Sequence, residues 1–429
     1  MTPIVGVTTE VNINQDRLWE SLMQLAQIGN YTDERTGLRG VNRLALTDAD
    51  AAGRALVVKW LREAGLRVRI DEIGNVYGRR EGRLTHLPPV LVGSHIDSVT
   101  TAGAFDGCLG VLGGLEMVRS MNEAGLVTDH PVEVAFFTEE EGVRFGTDML
   151  GSAVAVGRIG LDDAYARTDI NGVTVGSELE RHGFRGKAPV RIQAPHAYVE
   201  CHIEQGPVLS STGRDLGVVT GIQAISWQEL TLLGKAAHAG TTPMELRHDA
   251  GLATAMVTTK LHEMARSGGY GDLRVTIGRV DAYPNLINIV PARVICTVDL
   301  RNPSEAYMKD AETELRSYLE FVSAQTGVEI TAKQTAKTPL VTFDGDVENL
   351  IAEKIDAVGL SHSRLLSGAG HDAGEMASIC PTAMIFVPGE YDGISHNPRE
   401  YSTPEACANG VQVLTDVVRT LSTDGKIKQ

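Results

Sequence analysis

The chain has 429 residues, 42% hydrophobic and 22% charged, the profile of a folded protein of two or three domains rather than a disordered, collagen-like or disulfide-rich one. Asp and Glu outnumber Lys and Arg by 55 to 39, and a net charge of −16 repels nucleic acid and anionic membrane, leaving a small molecule or another protein as the expected partner. No apolar run approaches the ~20 residues of a membrane helix. No basic and apolar leader is read at the start, and five widely spaced cysteines without C-x-x-C point to the reducing cytoplasm.

In chain order, the pattern predicts a helix over 47–66, capped by Thr47, with Asp50 as a weak capping-box partner and Gly65 at its exit. Apolar strands follow at 67–70, 88–95 and 132–138, with an amphipathic helix over 109–124 between the last two. Near-continuous apolar strands alternating with helices imply βαβ units and a buried, mostly parallel sheet. From 223 to 335 the pattern changes to strand 225–234, helix 249–266, strands 272–280 and 292–301, helix 304–325 and strand 328–333. That order, β-α-β-β-α-β, is the one of a ferredoxin-like α+β sandwich. A strand at 383–388 and a helix at 405–421 return to the first style. The expected architecture is an α/β domain, 1–222 and 336–429, interrupted by a small α+β domain, 223–335.

Dense polar clusters punctuate this frame: GSHID (93–97), AFDG (104–107), TEEEG (138–142), HIEQGP (202–207) and GISHNP (393–398). Ligands bind beyond the carboxyl ends of the strands in open α/β sheets, and several of these clusters lie just after predicted strands. A convergent set of imidazoles and carboxylates suits zinc, manganese or cobalt. Two adjacent ions need a bridging carboxylate, for which Asp106, followed by glycine, is the candidate. Asp97, two residues after His95, is placed to accept the second ring N–H. Adjacent carboxylates in TEEEG can divide the work between metal ligand and general base. Taken singly, these features are ordinary histidines, a solvated acidic face and an Asp-Gly turn. Taken jointly they favour a metal site. Cys108 and Cys201 read as small packing residues; His86, His130, His182, His196, His262 and His362 read as surface.

A second group supplies binding. GKAAHAGTTP (234–243) carries His238, and SGAGHDA (367–373) is a glycine-rich turn with Gly370 and His371, of the kind whose N–H groups approach an anion. Asn288 and Arg301 flank the strand 292–300 as a carboxylate clamp, although a plain strand-end arginine is an equal reading of Arg301.

GSHIDSV, AFDG, TEEEGVRFG, HIEQGP, AAHAGTTP, SGAGHDA and GISHNPREY, in this order, resemble the amidase/hydantoinase-carbamoylase family of the dinuclear aminoacylase/carboxypeptidase-type metallopeptidases, over about residues 15–420. HIEQGP carries most weight, because it sets a histidine where the peptidase branches usually have an acidic ligand. The resemblance implies two divalent ions (Zn, Mn or Co), one on His95 and His202, the other on Glu141 and His396, with Asp106 bridging. It implies Glu140 as general base, an assignment that depends on register because Glu139 precedes it. Gln205, His238, Asn288, Arg301, Gly370 and His371 would then orient the substrate, with Arg301 and Asn288 on its carboxylate and His238 on the developing oxyanion. It further implies an N-carbamoyl or other ureido acid as substrate, and a homodimer joined through an inserted domain that doubles as a lid. Allantoate hydrolysis is the alternative; aminoacylase or dipeptidase activity, and a catalytically silent binding protein, are more distant ones.

Overall fold

The computed structural model describes residues 10–423, and these fall into two units, divided at Gly221/Ile222 and at Val341/Thr342. The first unit is built on a mixed sheet. Its four central strands run parallel in the spatial order Val132–Phe137, Val90–His95, Ala197–Ile203, Thr382–Val387. Every residue of these four strands is buried, which is why three of them read as near-continuous apolar runs. Antiparallel strands flank them: Val76–Arg80 and Arg67–Ile70 on one side, Leu216–Ile222 on the other. The helix Cys108–Glu123 packs on Val90–His95 and against the helices Gln15–Leu25 and Pro404–Thr423.

The strand Ala197–Ile203 (AYVECHI) is absent from the predicted elements although it lies at the centre of the sheet. Glu200 and His202 break its apolar pattern, and both are buried. Also, His130 is buried and its ring stacks on His196 at 4.2 Å, so the surface reading of His130 is corrected.

Helix Asp48–Glu63 starts as expected, with the Thr47 hydroxyl accepting the Asp50 N–H at 3.3 Å. Asp50 does not close a capping box. Its carboxylate accepts the Leu46 N–H at 2.7 Å and the Arg54 Nε–H at 2.6 Å, one turn along the same helix. Arg54 then donates to the Gly74 carbonyl at 2.9 Å and the Thr138 hydroxyl at 3.2 Å. A fully buried ion pair thus ties the helix to the first residue of TEEEG. Arg43, also buried, does the same for GSHID, donating to the carbonyls of Ile96 (2.7 Å), Leu25 (3.0 Å) and Ile28 (2.8 Å).

The second unit is an antiparallel sheet. Glu329–Thr338, Ala224–Leu233 and Arg293–Asn302 are neighbours in that order, and Arg293–Asn302 also carries both Arg274–Thr276 and Val280–Tyr283. This is a split β-α-β arrangement. The helices Ala250–Arg266 and Glu305–Thr326 contribute Val257, Leu261, Leu315 and Val322 to its core. Arg293–Asn302 alternates between buried and less buried residues, the mark of a sheet covered on one face. The expected strand 272–280 is two shorter ones, and the expected return at 336 falls inside Glu329–Thr338.

Removing one partner of a fully buried ion pair strands the other charge. Arg54→Ala should therefore destabilise the first unit by about 3–5 kcal/mol, read as a lower urea midpoint. An unchanged midpoint would show that Asp50 finds another partner.

Candidate metal centre

Four adjacent parallel strands deliver the polar clusters to one edge of the sheet. His95 is the last residue of Val90–His95, and His202 the last but one of Ala197–Ile203. TEEEG follows Val132–Phe137, and GISHNP follows Thr382–Val387. Asp106 occupies the turn into helix Cys108–Glu123. The next residue, Gly107, has φ +63, and a Cβ there would come within 2.4 Å of His95 Nε2. Glycine is required both by the backbone and by the ring that the turn admits.

The two Asp106 oxygens face opposite ways. Oδ1 lies 3.2 Å from His202 Nε2 and 3.6 Å from His95 Nε2; Oδ2 lies 3.4 Å from His396 Nε2. His396 Nε2 is also 3.3 Å from Glu141 Oε2. The result is two groups able to hold a cation, His95–Asp106–His202 and Asp106–Glu141–His396, sharing one carboxylate. The ring orientations follow from their other nitrogens. His95 Nδ1 bonds the Asp97 main-chain carbonyl at 3.0 Å and His202 Nδ1 the Ile203 carbonyl at 2.8 Å. A carbonyl only accepts, so both Nδ1 atoms carry the proton and both Nε2 lone pairs face the cluster.

That bond corrects the expected role of Asp97. Its side-chain oxygen is 3.9 Å from the ring, and its carboxylate instead accepts the N–H groups of Glu140 and Glu141 at 3.4 and 3.3 Å. Asp97 shapes the TEEEG turn rather than the His95 side chain. Glu139 turns away, its carboxylate accepting the Phe145 N–H at 2.7 Å, while Glu140 Oε2 lies 3.4 Å from His95 Nε2. Glu139, Gln205 and His396 all have left-handed backbone, with φ of 56°, 56° and 55°. Non-glycine residues adopt it at a cost, and it clusters here as it does at functional sites.

The electrostatics call for positive charge. Burial lifts the Glu140 carboxyl well above the usual range, only partly offset by His95, and the carboxylates of Asp372 and Glu141 lift it further. Burial also pushes Asp106 up, yet the His202, His396 and His95 imidazoles hold it well below. Burial works against charge on His396, but hydrogen bonds to Asp106 and Glu141 push it up to about 11. His95 Nε2 and Glu141 Oε1 are buried without a hydrogen-bond partner. Orphaned lone pairs facing an over-anionic cradle of N and O donors fit divalent cations of the zinc, manganese or cobalt type.

Other expected residues land differently. Gln205 Nε2 donates to Asp106 Oδ2 at 2.7 Å, so it steadies the shared carboxylate. His371 is buried, its Nε2 2.9 Å from the Ser367 hydroxyl and its ring edge-on to His202 at 4.5 Å. Gly370 lies in the turn before it, and the turn leads into helix Asp372–Met376 rather than forming a solvent loop. His238, Asn288 and Arg301 belong to the second unit. His238 Nδ1 accepts the N–H groups of Gly240 and Thr241 at 3.0 and 3.2 Å. The Asn288 carbonyl accepts the Ala239 N–H at 3.0 Å, and Arg301 is held by Asp299 at 2.9 Å.

Sequence reasoning missed several groups. Glu200, inside the unpredicted strand, accepts from the Ser94 hydroxyl (2.6 Å), the Tyr198 hydroxyl (3.1 Å) and the Ala373 N–H (3.0 Å). Glu400 accepts the Phe105 and Asp106 N–H groups at 3.0 and 3.1 Å. The Ser395 hydroxyl reaches Glu400 Oε2 at 2.8 Å and Asp106 Oδ2 at 3.0 Å. The only signal for Glu400 and Ser395 was their presence inside the motif around His396.

A parallel-sheet edge bearing two imidazole groups joined by one carboxylate is the working end of a metal-dependent hydrolase. Comparison with known proteins is specific. Residues 91–420 match the model of peptidase family M20/M25/M40. The N-carbamoyl-L-amino-acid amidohydrolase of Rhizobium meliloti is 40% identical over 406 residues, 95% of this chain and 96% of the relative. The allantoate amidohydrolase of Bacillus subtilis is 33% identical over 405 residues, 93% and 95% of the two chains. A crystal structure of a hydantoinase/carbamoylase-family amidase from Burkholderia vietnamiensis superposes with a TM-score of 0.92 at 41% identity, covering 97% of this chain and 99% of that one. The chain belongs to peptidase family M20/M25/M40, on its hydantoinase/carbamoylase amidase branch.

The shared carboxylate makes a graded prediction. In equilibrium dialysis against zinc, His396→Ala should hold one ion per chain and Asp106→Ala fewer than one. Equal metal content in the two variants would rule out Asp106 as the bridge.

Proposed function

We propose that the protein hydrolyses the ureido C–N bond of N-carbamoyl amino acids, either N-carbamoyl-L-α-amino acids or N-carbamoyl-β-alanine. The observation that carries this is His202 beside Asp106 at 3.2 Å: an imidazole within HIEQGP where the peptidase branches have an acid. The named activities of the Rhizobium and Bacillus relatives, both on carbamoyl or ureido compounds, support it.

In this reading His95 and His202 would hold one ion, Glu141 and His396 the other, and Asp106 would be shared between them. When bound, the ions lower the pKa of the attacking water and polarise the ureido carbonyl. Glu140, whose Oε2 lies 3.4 Å from His95 Nε2, is the carboxylate placed to take the water proton. Oxygen adds to the ureido carbon, the bond from that carbon to the amino-acid nitrogen breaks, and Glu140 returns the proton to that nitrogen. The carbamate released splits into ammonia and carbon dioxide. Gln205 keeps Asp106 oriented, and His371 supports the His202 ring from behind.

The second unit takes the substrate's remaining groups. Two main-chain N–H groups fix the His238 proton on Nε2, the donor a developing oxyanion needs. Asp299 orients the Arg301 guanidinium, which with Asn288 suits a carboxylate. We assign this unit the roles of lid and dimerisation module. Its outer strand Glu329–Thr338 is largely exposed and pairs on one side only among the described residues, an edge open to a second copy. Five free, buried cysteines agree with a cytoplasmic protein.

Glu140→Gln should keep both ions and lose turnover by about 10²–10⁴-fold; retained turnover would remove the base. Arg301→Ala should raise KM for carboxylate substrates by about tenfold or more with a smaller change in kcat, since a charge-assisted clamp is lost. A panel assay with Zn, Mn or Co restored separates the readings. Ammonia from N-carbamoyl amino acids supports the proposal. Ammonia from allantoate alone moves the substrate to that ureido acid, and amine release without ammonia makes the protein an aminoacylase or dipeptidase.

A further inference from the structure

A cavity of about 530 Å³ lies in the first unit, and none of His95, Asp106, Glu141, His202 and His396 lines it. Its apolar lining includes Met23, Leu38, Phe105, Tyr391 and Tyr401. Phe105 and Tyr401 meet edge to face at 5.8 Å, and Trp19 packs on both, at 5.5 and 6.0 Å. The polar lining includes Gln27, Asn30, Glu400 and two exposed arginines, Arg39 and Arg399, neither of which forms an ion pair among the described residues. Arg399 sits over the Tyr391 ring, 5.5 Å from its centre. What sets Arg39 and Arg399 apart is their place at one cavity beside an aromatic floor.

The chemistry selects the guest. An uncharged apolar molecule leaves both guanidiniums unanswered; inorganic phosphate leaves the aromatic floor wet. An amphiphile with one anionic head and an apolar body satisfies both. The cavity wall is also the frame of the metal centre. The Phe105 and Asp106 N–H groups are held by Glu400, which itself lines the cavity. Ser395 joins Glu400 to Asp106, and the Thr101 hydroxyl donates to the His396 carbonyl at 3.0 Å. Two segments of the wall, 103–105 and 398–401, therefore adjoin Asp106 and the loop that carries His396.

We propose that this cavity is a regulatory site for a small organic carboxylate with an aromatic or branched aliphatic body, coupled to the metal centre through Glu400. Its binding does not depend on which bond the enzyme hydrolyses; only the rate effect rests on the ureido reading above.

The test uses the metal-loaded protein and 3-phenylpropanoate, which has no ureido group, with Trp19 as reporter. A saturable fluorescence change at about 1 mM or below is expected, absent in W19F, about tenfold weaker in the double variant R39E/R399E, and absent with phenethylamine, which keeps the body but not the carboxylate. The probe should change the rate on the best panel substrate without competing with it, and R39E/R399E should abolish that change while keeping the basal rate. No saturable change in wild type, equal affinity in the double variant, equal binding of the amine, or displacement of the probe by substrate would each overturn the proposal. Loss of the rate effect alone, with binding intact, overturns the coupling and leaves the ureido reading untouched.

Discussion

Everything at the sheet edge depends on how one carboxylate is shared. Asp106 presents one oxygen to His95 and His202 and the other to His396, so its orientation decides whether both candidate groups, His95–Asp106–His202 and Asp106–Glu141–His396, come together. Such sharing demands accuracy of a few tenths of an ångström, and no single strand provides it. Gly107 lets the turn approach the His95 ring, Glu400 fixes the turn's N–H groups, and Gln205 and Ser395 hold one carboxylate oxygen. Main-chain carbonyls then fix both ring protons away from the cluster. Negative charge in the interior is tolerable because the imidazoles, and any ions they bind, answer it.

The remaining polar interior works as scaffolding for that edge. Arg43 and Arg54 are among the largest fully buried side chains, and each ends on the backbone or first residue of a cluster that supplies the centre. Their role is to deliver GSHID and TEEEG in register. Asp97 adds a link between the two, through its carboxylate and the N–H groups of Glu140 and Glu141. Left-handed backbone at Glu139, Gln205 and His396 is the conformational cost of packing so many polar side chains into one corner.

Much of this was legible in the sequence, and for identifiable reasons. Apolar strands that run straight into His, Asp and Glu announce both the sheet and its functional end, so GSHID and TEEEG stood out. The alternation and helices of the second unit were legible because each has a clean period. The strand Ala197–Ile203 was hidden by the very residues that make it matter, Glu200 and His202. Asp97 was misread because a side-chain partner and a main-chain carbonyl two residues away look the same in one dimension. Glu400 acts on N–H groups about 295 positions earlier in the chain, a distance at which local pattern carries no information.

The interruption of the first unit has a consequence for biosynthesis. Thr382–Val387 is a middle strand, lying between Ala197–Ile203 and Leu216–Ile222, yet a ribosome releases it only after all of 222–341 has emerged. Until then the nascent sheet has a gap at its centre, with the flank of Ala197–Ile203 unpaired and His396 not yet made. The smaller unit, with its own core, completes itself meanwhile. The corner where Asp106, Glu141 and His396 meet is therefore complete only after this last strand has emerged, and a product truncated before it lacks the imidazole of that group.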